Sequence, residues 1–113
     1  MINETPLPLT ETTFFILFSL AKSPRHGYSI IKEVENLSDG RISMAAGTLY
    51  GAIKRMLDCG WIERYAATET EPVNLRERKL YKLSDNGQKI LQTELVRIKK
   101  LAQMIGQFEL GKS

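Results

Sequence analysis

The chain has 113 residues, 42% of them hydrophobic and 26% charged, with a formal net charge of +3 and a pI near 9.1. These values suit one ordinary globular domain and exclude a second full core, wholesale disorder and collagen-like or mucin-like sequence. The mild basic excess permits a nucleic-acid partner without establishing one, and the single cysteine, Cys59, cannot close an internal disulfide, which points to a reducing compartment.

Met1 to Pro8 carries Pro6, Pro8 and few anchoring residues, and is expected to be a flexible arm. No basic segment precedes an apolar run. The longest such run, Phe14 to Phe18, stops at Ser19, far short of the roughly 20 residues that span a bilayer. A soluble cytoplasmic protein without a membrane partner is expected. Thr10 can cap a helix beginning at Glu11, with acidic charge in its first turn. Phe14, Ile16, Leu17, Phe18 and Leu20 make that helix apolar around much of its circumference, so it should touch several neighbours. Ser23-Pro24 ends it.

A second helix is predicted from about His26 to Leu37, with Ile30, Ile31, Val34 and Leu37 at helical spacing. Ser38-Asp39-Gly40 is a turn signal. Ser43 offers a cap for a third helix from about Met44 to Cys59, and Gly60 supplies a left-handed stop. Beyond it, Trp61–Tyr65 and Leu80–Leu83 have strand-like residues, and the polar stretch between them makes a hairpin with a long tip. Ser84-Asp85 caps a final helix reaching to about Leu110. Three helices, a two-stranded ribbon and a long helix give a mainly α fold with a small β-hairpin. In so short a chain that is the order of a winged helix-turn-helix, here at residues 9–83, with 84–113 as a C-terminal dimerisation helix.

At 100° per residue, Ile53 and Met56 of the third helix fall within about 40° of Leu49, and the three form its buried stripe. The other side carries Gly47, Gly51, Lys54 and Asp58, flanked by Thr48 and Arg55 on one edge and Tyr50 on the other. An ordinary solvated face fits this pattern too. However, Gly47 and Gly51 each cost about 1 kcal/mol inside a helix relative to Ala. Water gains nothing from them, whereas a surface approaching the backbone closely does. The major groove of DNA admits one helix, and Lys, Arg, Thr and Tyr are suitable donors there. Lys54 and Arg55 are the first candidates for DNA contact, Thr48 and Tyr50 the second. Tyr50 suits packing on the second helix equally well.

Several of these segments resemble those of PadR-type transcriptional regulators. They are Leu9-Thr10-Glu11 before an apolar helix, Pro24-Arg25-His26-Gly27-Tyr28, the run Gly47-Thr48-Leu49-Tyr50-Gly51-Ala52-Ile53-Lys54-Arg55-Met56, Gly60-Trp61-Ile62, and Leu80-Tyr81-Lys82-Leu83-Ser84-Asp85-Asn86-Gly87. The resemblance runs from about Leu9 to Gly87, with the fragments in order and at the right spacing. It implies a homodimeric winged-helix repressor on double-stranded DNA. The third helix would sit in the major groove and the wing on backbone or minor groove, with Arg76, Arg78 and Lys79 meeting phosphate. The length fits the short subgroup, some members of which bind planar hydrophobic effectors in the dimer interface and release DNA. The chain departs from that pattern in two places. Its wing is acidic at Glu69 and Glu71, and Ile98 stands where drug-binding members carry an aromatic residue.

Leu91, Leu95, Ile98, Ala102 and Ile105 step by four, three, four and three along the last helix, a heptad-like seam widened by Leu101, Met104 and Phe108. No later element covers it, so a second copy is expected to. A closed dimer core is the simpler use of that seam, and an effector pocket the alternative. His26 and Cys59 lie far apart in sequence and make no four-ligand metal set. His26 reads as a capping or packing residue and Cys59 as a filler. No metal or cofactor is expected. With no Gly-rich phosphate loop, Ser/His/Asp set or adjacent carboxylate pair, neither is catalysis. A winged-helix module whose basic face meets an acidic protein is the rival reading.

Overall fold

The computed structural model describes residues 8–66 and 79–111. The expected arm up to residue 7, and the wing tip with Arg76 and Arg78, lie outside the described residues.

Helix α1 (Glu11–Lys22) opens where Thr10 Oγ1 accepts the Thr13 N–H at 3.1 Å, and closes on the extended Ser23. Ile16, Leu17 and Leu20 are buried, Phe14, Phe15 and Phe18 half-buried. The helix packs on α2 (Gly27–Leu37), on strand β3 (Leu80–Leu83) and on the last helix, α4 (Asp85–Gly111). Its all-round apolar character follows from those several neighbours. Between α1 and α2 lies a strand that no sequence period announced, β1 (Arg25–His26). His26 is then the N-cap of α2, its Nδ1 accepting the Ser29 N–H at 3.3 Å, so α2 begins one residue later than expected.

The turn after α2 uses positive φ at Asp39 (55°) and Gly40 (80°), with Gly40 N–H donating to Glu35 O at 2.8 Å. Helix α3 (Ala46–Asp58) starts two residues beyond the predicted Met44. Ile42 and Met44 are half-buried against the core while Ser43 is exposed. That inward–outward alternation is extended chain, so Ser43 cannot cap; Ala45 takes the N-cap place without a side-chain bond. The other end obeys its signal. Gly60 (φ 77°) donates to Leu57 O at 3.0 Å and Trp61 N–H to Met56 O at 2.9 Å, the Schellman pattern.

Strand β2 (Ile62–Tyr65) pairs antiparallel with β3, placing Ile62 opposite Leu83 and Arg64 opposite Tyr81. On the other edge β3 pairs with β1, Arg25 opposite Tyr81, so the sheet order is β1-β3-β2. The core gathers Ile16, Leu17, Ile30, Val34, Leu49, Ile53, Met56, Ile62, Tyr81, Leu83 and Leu91. The first turns of α4 therefore belong to the same core as the winged helix. No helix among the described residues is long and apolar enough to cross a membrane.

Glu94 of α4 is 1% exposed, a carboxylate inside an apolar stripe. It accepts the Leu9 N–H at 3.0 Å and the Arg97 Nε–H and Nη2–H at 2.7 and 2.9 Å, so it ties the chain ahead of α1 to the middle of α4. The Arg97 hydrogen bonds hold its pKa below the ordinary 4.5, against the opposing effect of burial, with the Leu9 N–H assisting. The depressed folded value makes the stabilisation complete above pH 4.5 and lost as pH falls through the folded value. Glu94→Gln should cost about 1–3 kcal/mol at pH 7. It should also flatten the acid limb of stability, both read from urea unfolding at a series of pH values.

Candidate nucleic-acid interface

On α3, Leu49, Ala52, Ile53 and Met56 are buried. Gly47, Thr48, Gly51, Lys54 and Arg55 are exposed on its other side. A Cβ built on Gly47 would meet nothing within 4 Å, and one on Gly51 only the Arg55 Nη1 at 3.8 Å. No packing among the described residues thus requires either glycine, and both leave the helix backbone open to a close approach. Lys54 Nζ lies 3.6 Å from Asp58 Oδ2 with both side chains mostly in water, which leaves its charge available.

Tyr50 packs on the second helix, one of its two expected roles. Its ring covers Gly27 at the start of α2, where a Cβ would lie 2.9 Å from Tyr50 Cζ and closer still to the hydroxyl. It is nevertheless 49% exposed. Of the wing cations, Lys79 is exposed immediately before β3. The α3 strip and the β2–β3 ribbon are joined through the Schellman turn and Ser84. The Ser84 N–H donates to Trp61 O at 3.0 Å, its hydroxyl donates to Gly60 O at 2.5 Å, and Ser84 Oγ accepts the Gly87 N–H at 3.0 Å.

The predicted seam on α4 divides along its length. Leu91 is 4% exposed and lies in its own chain's core, which leaves it almost no surface for a second copy; its place early in α4, over β3 and α1, is the reason. Leu95 is half-buried against that core. From Ile98 onward the side chains stand in water: Ile98, Leu101, Ala102, Met104, Ile105 and Phe108 are all exposed. Glu94 was not anticipated. A Glu inside the apolar stripe with Arg three residues on was the available signal. Among the described residues no cluster of three or more His, Cys, Asp or Glu could hold a metal ion.

Residues 16–93 match the model of the transcriptional regulator PadR-like family, from α1 into α4. Among solved structures, a PadR family transcription regulator from hypervirulent Clostridium difficile is similar with a TM-score of 0.69 at 25% identity, over 88% of this chain and 98% of that one. A transcriptional regulator from Clostridium thermocellum gives 0.64 at 25% identity, over 86% and 88%. Bacillus subtilis PadR in complex with operator DNA gives 0.59 at 25% identity, over 74% of this chain and 46% of that one. A comparison with curated proteins finds no match. A winged helix-turn-helix whose family model spans more than half of its length, this chain belongs to the PadR-like family of DNA-binding transcriptional regulators and is not an enzyme.

Proposed function

We propose that the chain works as a homodimeric repressor in the cytoplasm, each protomer laying α3 in the major groove of one half of a palindromic operator. The observation that carries this reading is the outer strip of α3, where Gly47, Thr48, Gly51, Lys54 and Arg55 face solvent and Tyr50 is half exposed. Residues 9–83 would be the DNA-binding unit, residues 84–113 the dimerisation helix and residues 1–8 an arm. Arg76, Arg78 and Lys79 would meet phosphate from the wing. A second copy covering Ile98, Leu101, Ala102, Ile105 and Phe108 would remove a continuous apolar stripe from water. Two-fold symmetry then sets the recognition helices about 34 Å apart, one turn of duplex. A small hydrophobic effector seated at that interface would release DNA.

A salt-titrated gel shift with the chain's own promoter region and a random duplex of equal length tests the reading. The promoter should be preferred at least tenfold, with the logarithm of the affinity falling linearly in log salt. Lys54→Ala and Arg55→Ala should each cost about 1–3 kcal/mol of promoter affinity. Equal affinity for both duplexes at moderate salt overturns specific recognition. A salt-insensitive complex with an acidic protein would replace the reading with a protein-interaction module.

A further inference from the structure

Helix α4 is tied to the winged helix by hydrogen bonds at two places. At its start, the Ser84 hydroxyl donates to Gly60 O and accepts the Gly87 N–H at 3.0 Å, which seats the first turn on the chain entering β2. At the far end of the contact, Glu94 accepts the Leu9 N–H at 3.0 Å, across 85 positions of sequence. Ala21, near the end of α1, shares a shallow cavity with Gln88, Leu91 and Gln92 of α4. The end of α1 therefore lies beside the first turns of α4 and its start beside Glu94, so the two helices run antiparallel. Among the described residues, Glu94 is also the last buried one along α4, and from Ile98 onward the apolar side chains stand in water.

Between these two places α4 meets the core through apolar side chains, Ile90, Leu91 and Leu95 among them. Apolar burial is non-directional, so it holds the helix down without setting its angle. Hydrogen bonds are directional, and one at each end of a contact defines a line. A leucine in place of Glu94 would continue the stripe of Leu91, Leu95 and Ile98, and exchanging a buried ion pair for apolar side chains is often neutral or stabilising. What Glu94 adds is a fixed acceptor. Arg97 donates to both of its carboxylate oxygens, from Nε at 2.7 Å and from Nη2 at 2.9 Å, and so holds the carboxylate in one orientation toward Leu9. Because α4 is a single helix over Asp85–Gly111, the direction of its docked turns is passed on to its exposed end. At about 20 Å from a pivot, a tilt of about 10° is a displacement of about 3.4 Å, one base-pair step.

We infer that Glu94, held by Arg97, is a positioning residue: its bond to the Leu9 N–H fixes the angle between the winged helix and α4, and through it the half-site spacing that the dimer accepts. The inference rests on the proposed function and adds to it what sets the separation of the two recognition helices. Each α3 meets its own half-site with the same side chains whether this clasp is closed or open. Only the distance from one α3 to its copy changes. Spacing selectivity thus separates from half-site affinity and from stability.

The test uses the full chain. Cys59 is exposed at the C-cap of α3 and is the single cysteine, so a nitroxide on it puts one label at the end of each recognition helix of the dimer. Pulsed dipolar spectroscopy should give a narrow label-to-label distribution for wild type. Glu94→Leu removes the acceptor while keeping apolar volume, and Leu9→Pro removes the donor. Each should remain folded and dimeric and broaden the distribution about twofold. Glu94→Gln keeps a carbonyl oxygen for the Leu9 N–H and should stay narrow despite its lower stability. Fluorescence anisotropy then uses the promoter's two half-sites with one base pair added or removed between them. Wild type and Glu94→Gln should lose at least about tenfold in affinity on the altered spacings, Glu94→Leu and Leu9→Pro less than about threefold, with single half-site affinity unchanged throughout. Wild-type width and spacing preference in Glu94→Leu or Leu9→Pro overturns the inference. So does loss of the dimer in either, or a Glu94→Gln distribution as broad as that of Glu94→Leu. A wild type that dimerises without preferring its promoter overturns the proposed function instead, and the clasp is then read from the label distances alone.

Discussion

Gly87→Ala should be among the most destabilising single substitutions in this chain, at about 3 kcal/mol. Gly87 lies in the first turn of α4, and a Cβ there would collide with the Trp61 carbonyl oxygen and lie 2.9 Å from its carbon. Both obstacles are backbone, so no rotamer change relieves them. The same Trp61 carbonyl accepts the Ser84 N–H at 3.0 Å, which pins it in place. Relief requires α4 to move off β2, and that strains the Ser84 bonds to Gly60 and Gly87 and the packing of Ile90 and Leu91. Overpacking of this kind costs about 1–3 kcal/mol, more where backbone must shift. Urea unfolding of wild type and variant measures it. By contrast, Gly47→Ala has open space around its Cβ and should stabilise α3 by up to about 1 kcal/mol. A Gly87→Ala variant as stable as wild type would mean that α4 is not seated on Trp61 as described.

Leu101→Glu/Ile105→Glu should yield a folded monomer that has lost most of its operator affinity. Leu101 and Ile105 are 44% and 59% exposed and contribute nothing to the core of their own chain. Charge there leaves the winged helix intact and sets like charges against one another across the proposed two-fold seam. Losing the second half-site removes the effective concentration that links the two recognition helices, which is worth about 10²–10⁴ in affinity. Analytical ultracentrifugation and the promoter gel shift read the two effects together. A dimer that survives both substitutions places the interface elsewhere. Leu91→Glu should behave differently and unfold the chain, because Leu91 is 4% exposed and sits in the core.

These predictions separate the two kinds of information in the chain. The order of the four helices and the two hairpin strands, the turn at Ser38-Asp39-Gly40 and the stop at Gly60 were legible in the sequence. Each depends on local preference or on a repeat within one element. The split of α3 was legible for the same reason: a period of 3.6 puts Leu49, Ile53 and Met56 on one side whatever they pack against. The resemblance carried the family, because several short segments recur in the right order.

What stayed hidden depends on partners far along the chain. The strand β1 has only two residues, so it has no period of its own; it exists because β3 offers an open edge. Ser43 has a good capping side chain, but Ile42 and Met44 are drawn inward and hold that stretch extended. The heptad seam listed Leu91 beside Ile105, yet one lies over the sheet and α1 and the other beyond them. Local free energy along the chain determined the elements and their faces. Only the docking of those faces decided that Gly87 has no room for a methyl group and that Glu94 is buried on Leu9. Such outcomes follow from which atoms meet across the fold, and no window of neighbouring residues encodes them.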